Sequence, residues 1–144
     1  MLKRVLMTCL AALALAGGVA CSKEPAGPEI DAPEALRRVQ AGEMILVDIR
    51  RPEEWRQTGV ARGALRIDMT DPRFVDRLYQ EAKGDLNAPI GIICRTGNRT
   101  THVQQALAKM GFTQIINVRE GMAGSAAGPG WIKRGLPVEP CMRC

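Results

Sequence analysis

Ile90-Gly91-Ile92-Ile93-Cys94-Arg95-Thr96-Gly97-Asn98-Arg99-Thr100-Thr101 is an apolar, β-branched run that stops at a cysteine and passes into a polar loop. Val103, Ala106, Leu107 and Met110 then fall at i, i+3, i+4 and i+7, the spacing of an amphipathic helix, and Gly111 supplies its stop. A strand–cysteine–loop–helix unit sets the thiol at the carboxyl end of a strand, where open α/β sheets bind ligands. It also sets the thiol at a helix start, whose free N–H groups favour an anion. The anion here is the thiolate, which is the nucleophilic form of cysteine. Arg95 and Arg99 bracket the loop as permanent cations, and with the loop amides they can hold an anionic substrate.

Outward from this stretch the same alternation continues. Asp31-Ala32-Pro33-Glu34 opens a helix with Ala35, Leu36 and Val39 as its apolar stripe and Gly42 as its end. Met44-Ile45-Leu46-Val47 is a continuous apolar run, as expected of a strand covered on both faces, with Asp48 and Arg50 at its carboxyl end. Pro52 with Glu53 and Glu54 opens a short helix that Gly59 ends. Ala64-Leu65-Arg66-Ile67 is a short strand, and Asp71-Pro72 starts a helix with Phe74, Val75, Leu78 and Ala82 on one face. Ile115-Ile116-Asn117-Val118 is the next strand. Strands alternating with helices predict an α/β, three-layer sandwich: a central, mainly parallel sheet flanked by helices on both faces. The Gly-rich 121–130 stretch reads either as a surface loop or as a segment beside Cys94 that shapes acceptor access.

Four stretches in order resemble the single-domain rhodaneses, the sulfurtransferases. Cys94-Arg95-Thr96-Gly97-Asn98-Arg99-Thr100 is similar to their active-site loop. Asp48 through Trp55 resembles their Asp-x-Arg-x-Pro-x-Glu-aromatic motif, Gly59 through Ile67 their Gly-His-x-x-Gly-Ala-x-x-Ile motif, and Trp131 through Val138 their closing Trp-x-x-x-Gly-x-Pro-Val segment. Val60 stands where the family usually has histidine. The resemblance implies a rhodanese-like domain over residues 29–139 and transfer of sulfane sulfur from thiosulfate or a polysulfide to cyanide or a thiol. On this resemblance Cys94 is expected to carry the sulfur as a persulfide. By the same resemblance the backbone amides of Arg95, Thr96, Gly97, Asn98, Arg99 and Thr100 are expected to cradle it, and Arg95 and Arg99 to hold the donor's sulfonate. Thr96 adds a hydroxyl, Thr100 ties the loop to the helix, and Asp48 with Arg50 forms a structural ion pair. No cofactor or metal is needed. His102, the single histidine, falls inside the helix and is expected to face solvent or neighbouring side chains.

A sulfur walled off from solvent, or locked in a disulfide with the tail, would sink this scheme. Two other readings compete with it. Cysteine phosphatases and arsenate reductases close a wider loop with arginine, whereas here four residues separate Cys94 from Arg99 and position 100 is threonine. The other is an envelope-anchored carrier of sulfur or soft metal that does not turn over.

Residues 1–20 read as an export signal: Lys3 and Arg4, the apolar run 5–16, then Gly17-Gly18-Val19-Ala20 before Cys21. The apolar run is shorter than the about 20 residues a membrane-spanning helix needs. Small residues before Cys21 resemble a bacterial lipobox, which implies a lipid on Cys21, a tether over residues 21–28 and a periplasmic, membrane-anchored domain. Gly18 departs from the family's usual leucine, so plain cleavage after Ala20 stays open. Without residues 1–20 the balance falls from 20 basic and 15 acidic side chains to 18 and 15, too mild for a nucleic-acid partner. Cys141-Met142-Arg143-Cys144 forms a tail over residues 140–144 that can close a disulfide, receive sulfur from Cys94 or bind a soft metal.

Overall fold

The computed structural model describes residues 27–144; the expected signal, cleavage site and Cys21 fall outside the described residues. The elements run β1 (Glu29–Ile30), α1 (Ala32–Gln40), β2 (Ile45–Asp48), α2 (Pro52–Thr58), β3 (Val60–Ala61), β4 (Ala64–Arg66), α3 (Phe74–Glu81), β5 (Ile90–Ile93), α4 (Asn98–Lys109), β6 (Ile115–Val118) and β7 (Val138–Glu139). Five strands form one parallel sheet in the order β1-β6-β5-β2-β4. β3 and β7 pair separately as an antiparallel ribbon.

The central strands β2, β5 and β6 are apolar because each is covered on both faces, and pleat alternation sorts their side chains into two cores. Val47, Ile90, Ile92, Cys94 and Ile115 pack with Phe74 and Leu78 of α3 and with Val103 and Leu107 of α4. Leu46, Ile93, Ile116 and Val118 face the other way, onto Ala32 and Ala35 of α1 and onto Met122 and Trp131. The result is the expected three-layer α/β sandwich. Ile90, Ile92, Ile93, Leu46 and Leu78 are at most 1 % exposed, and burial of each contributes roughly 2 kcal/mol relative to leaving it in water.

Local chemistry fixes the helix starts. Asp31 caps α1 by accepting the Glu34 N–H (2.9 Å), and a proline follows in the first turn. α3 begins at Phe74, beyond the Asp71-Pro72 start expected from the sequence, because Asp71 first closes a turn by accepting the Arg73 N–H (2.8 Å). The two-residue strands β1, β3 and β7 exist through long-range pairing. Arg119 N and Asn117 N donate to Ile30 O and Pro28 O, and Arg62 N donates to Pro137 O. No helix among the described residues is long and apolar enough to cross a membrane.

Candidate active site

Parallel pairing brings Asp48, Arg66 and Ile93 into one register, so the ends of β2, β4 and β5 share an edge. Cys94 follows β5 there. Its thiol is free and is held at the loop: the Gly97 N–H donates to Sγ (3.2 Å), and Sγ lies 3.6 Å from the Thr100 hydroxyl. The Thr100 hydroxyl also donates to Gly97 O (2.8 Å). The same carbonyl receives the Thr101 hydroxyl (2.9 Å) and the Thr101 N–H (3.2 Å). Thr100 can therefore turn its hydrogen to an ionised sulfur without orphaning the carbonyl. Thr101 N makes the first i→i−4 bond of α4, so the amides of Asn98, Arg99 and Thr100 have no acceptor within the helix.

Gly97 is required here on two counts. Its φ is +88°, and a Cβ would run into the carbonyl of Arg119. The Gly-rich stretch after β6 holds the loop from below: Met122 N donates to Cys94 O and Ala123 N to Arg95 O, both at 2.9 Å. Gly121, at φ +69°, leaves no room for a Cβ beneath the Arg95–Thr96 peptide. The start of this stretch is therefore the floor of the loop, and its exposed tip at 125–128 turns back on itself.

Two expectations need correction. Cys94 has no solvent-exposed surface; the loop and the core behind it cover the sulfur. That is one of the two conditions set against covalent transfer; the other is not met, because the thiol is free of the tail. Arg99 does not stand free to meet an anion. It makes a two-point ion pair with Glu54 of α2, Nη1 to Oε2 at 2.8 Å and Nη2 to Oε1 at 2.6 Å. A side chain already seated on a carboxylate can bind a donor only by leaving it. Arg95 and Asn98 are exposed on the outer side of the loop, Thr96 is half-buried, and His102 is exposed on α4 with no contact to Cys94.

The pair leaves an electrostatic signature. Hydrogen bonds from Arg99 hold the Glu54 carboxyl down at about 2 against burial, which pushes it up. A carboxylate depressed in the folded state contributes stability above its ordinary value, and that contribution is lost as pH falls toward 2. With both side chains partly exposed, solvent screening limits this to about 1 kcal/mol. Glu54→Gln should thus lower stability by about 1 kcal/mol at pH 7. In urea titrations the gap to wild type should shrink as pH falls below 4.5. Freed from its carboxylate, Arg99 should also lower the apparent donor KM severalfold; an unchanged or higher KM would mean Arg99 does not meet the donor.

Asp48 and Arg50 lie behind the loop, 0 % and 2 % exposed. Arg50 Nη2 and Nε bond the Asp48 carboxylate at 2.7–3.1 Å, Nη2 also reaches Gly59 O (2.8 Å), and Nη1 reaches the Thr58 hydroxyl (2.8 Å). The pair ties the end of β2 to the end of α2. A second buried carboxylate, Glu120, was not singled out in the sequence. It accepts from Ala32 N (2.7 Å), Gly130 N (2.8 Å) and Arg134 Nε (2.9 Å), fastening the Gly-rich stretch to α1. Burial pushes its carboxyl up, but these donors outweigh it and hold the carboxyl below its ordinary value. Its position at the carboxyl end of β6, the same edge as Asp48, was the available signal.

Cys141 and Cys144 are joined to each other in a disulfide. Among the described residues no group of three or more potential ligands could hold a metal ion.

The rhodanese-like domain model matches residues 31–127. The chain belongs to the rhodanese-like family. A protein named sulfurtransferase from Allochromatium vinosum is 30 % identical over 111 residues, covering 76 % of this chain and 92 % of its own. The solution structure of the polysulfide-sulfur transferase homodimer from Wolinella succinogenes superposes with a TM-score of 0.61 at 21 % identity, covering 81 % of this chain and 80 % of its own, a likeness of fold. Human single-domain sulfurtransferase TSTD1 superposes with a TM-score of 0.52 at 25 % identity, over 66 % and 91 % of the two chains.

Proposed function

We propose that this chain is a sulfurtransferase that carries sulfane sulfur as a persulfide on Cys94. The reading is supported above all by the setting of that thiol: a free cysteine at the end of β5, held by the Gly97 N–H and facing a threonine hydroxyl at the start of α4. The Cys94 thiolate attacks the outer sulfur of a small anionic donor, thiosulfate or a polysulfide. The donor's S–S bond breaks, sulfite or the shortened polysulfide leaves, and Cys94 holds S–S⁻. Cyanide or a thiol then takes the outer sulfur and the thiolate returns. Splitting one displacement into two lowers the barrier of each. The first-turn amides of α4, the Gly97 N–H and the Thr100 hydroxyl stabilise the negative charge that remains on sulfur throughout.

Because Cys94 is covered, turnover on this reading requires the cover to open, and the Glu54–Arg99 pair at the rim is the contact that a donor anion can exchange with. The loop is one residue short of the wider cradle used for tetrahedral oxyanions, which favours sulfur over phosphate or arsenate. We further propose that the domain works outside the cytoplasm, tethered by a lipid on Cys21. The Cys141–Cys144 disulfide supports an oxidising compartment.

Intact-mass measurement after exposure to thiosulfate tests the proposal. Gain of one sulfur atom on Cys94, removed by cyanide, is the expected result. No gain with either thiosulfate or polysulfide would overturn it, hydrolysis of aryl phosphates would favour the phosphatase, and sulfur that cyanide cannot remove would favour a carrier.

A further inference from the structure

The disulfide at Cys141–Cys144 spans three positions and ties the tail to nothing else in the chain. Closing so short a loop removes little entropy from an unfolded chain, so a structural staple has little to do here. Its surroundings fit another use. The two sulfurs are unequal: Cys141 is buried against Trp55 and Val60, whereas Cys144 is partly open. A guanidinium is aimed at them, with Arg66 Nη1 2.6 Å from Cys141 Sγ and 3.4 Å from Cys144 Sγ. A cation against a disulfide gains most when one sulfur becomes a thiolate, and here the nearer sulfur is the buried one.

Beside Cys144 lies a cleft of about 350 Å³ whose walls include Trp55, three arginines (Arg66, Arg77 and Arg143) and two carboxylates, Asp68 and Asp71, the latter 3.4 Å from Arg77. Trp55 is 6 % exposed, and its indole N–H is buried without an acceptor. Arg143 makes no ion pair among the described residues. A cleft with more guanidiniums than carboxylates, walled by a tryptophan whose indole N–H lacks an acceptor and by a partly exposed cysteine, suits an anion that carries a thiol.

We propose that Cys141–Cys144 is a thiol–disulfide exchange site, separate from Cys94, that takes small thiols bearing a carboxylate. The incoming thiolate attacks Cys144 Sγ. A mixed disulfide forms, the Cys141–Cys144 bond breaks, and its electron pair goes to Cys141 Sγ beside Arg66. A lower-pKa leaving thiol departs faster, which is the work of the guanidinium. A second thiol then attacks the mixed disulfide, releasing the Cys144 thiolate, which takes up a proton. Two thiols are oxidised to one disulfide and the protein disulfide is reduced to a dithiol; the reverse reaction uses a small-molecule disulfide as oxidant. The site does not depend on sulfur transfer at Cys94.

The full chain carrying Cys94→Ser, treated with reduced glutathione at neutral pH without denaturant and quenched by alkylation, tests this independently of transfer activity. Opening of the disulfide through a glutathione adduct on Cys144 is expected. Arg66→Gln should slow opening about tenfold. Arg143→Gln should raise the glutathione concentration needed without changing the rate with 2-mercaptoethanol, which has no carboxylate. A disulfide that opens only when urea unfolds the protein, an adduct on Cys141, or a rate indifferent to Arg66→Gln at unchanged urea midpoint would each overturn the proposal.

Discussion

Cys94→Ser is expected to abolish sulfur transfer while leaving the fold intact. Serine is smaller than cysteine but places a polar atom in the same direction, so Gly97 N and the Thr100 hydroxyl keep a polar neighbour and the core gains no bulk. It does not keep the chemistry. A hydroxyl is not appreciably ionised at neutral pH and cannot form a persulfide that a thiol or cyanide would unload. Loss of activity of at least about 10³-fold follows when a covalent nucleophile is removed and only positioning survives. Steady-state thiosulfate:cyanide transfer should fall to the uncatalysed rate, with an unchanged urea midpoint. Turnover retained in the serine variant would exclude the covalent route whatever the donor.

Thr100→Val makes a finer test of the same site. It preserves the shape beside Sγ and removes the one hydroxyl that can rotate between Gly97 O and the sulfur. A loss of about 10-fold in kcat, with donor KM nearly unchanged, is expected if that hydrogen stabilises the charged sulfur during transfer.

What the sequence carried plainly was whatever the sheet demands locally. Ile90–Ile93 and Ile115–Val118 are uninterrupted apolar runs because both faces of those strands are covered. The helix stripes Phe74, Leu78 and Val103, Leu107 each bury one face. The Cys94 loop was legible because strand, cysteine and helix start are contiguous. β1, β3 and β7 were not, since two residues have no period and their pairing is decided by partners far away in the chain. Distance in sequence also hid the Glu54–Arg99 pair, whose members lie 45 positions apart. The cover over Cys94 was hidden for a related reason: residue order puts a thiol at a strand end, but the way a loop folds over it is set by Gly97, Gly121 and the carbonyls they pack against. Glu120 went unmarked because its three donors, Ala32, Gly130 and Arg134, come from two separate segments.

Arg50→Ala is expected to be the most damaging single substitution for stability, at about 3–5 kcal/mol. It would strip the cation from a carboxylate with no exposure to water, leaving Asp48 with the Arg50 N–H bond at 3.0 Å as its remaining side-chain partner. It would also release Gly59 O and the Thr58 hydroxyl, so α2 would lose its hold on the end of β2. Urea unfolding at pH 7 measures the loss. Pairing the change with Asp48→Leu should recover much of it, because the penalty comes from an uncompensated buried charge rather than from a missing attraction. If the double variant were instead as unstable as the sum of two large single losses, the coupling between the two side chains would be nil, and the loss would come from their separate contacts rather than from a stranded charge. The recovered fold should still place Glu54 less firmly than wild type. Donor KM should then change in the double variant even where stability returns, since α2 carries the partner of Arg99 at the rim of the cysteine loop.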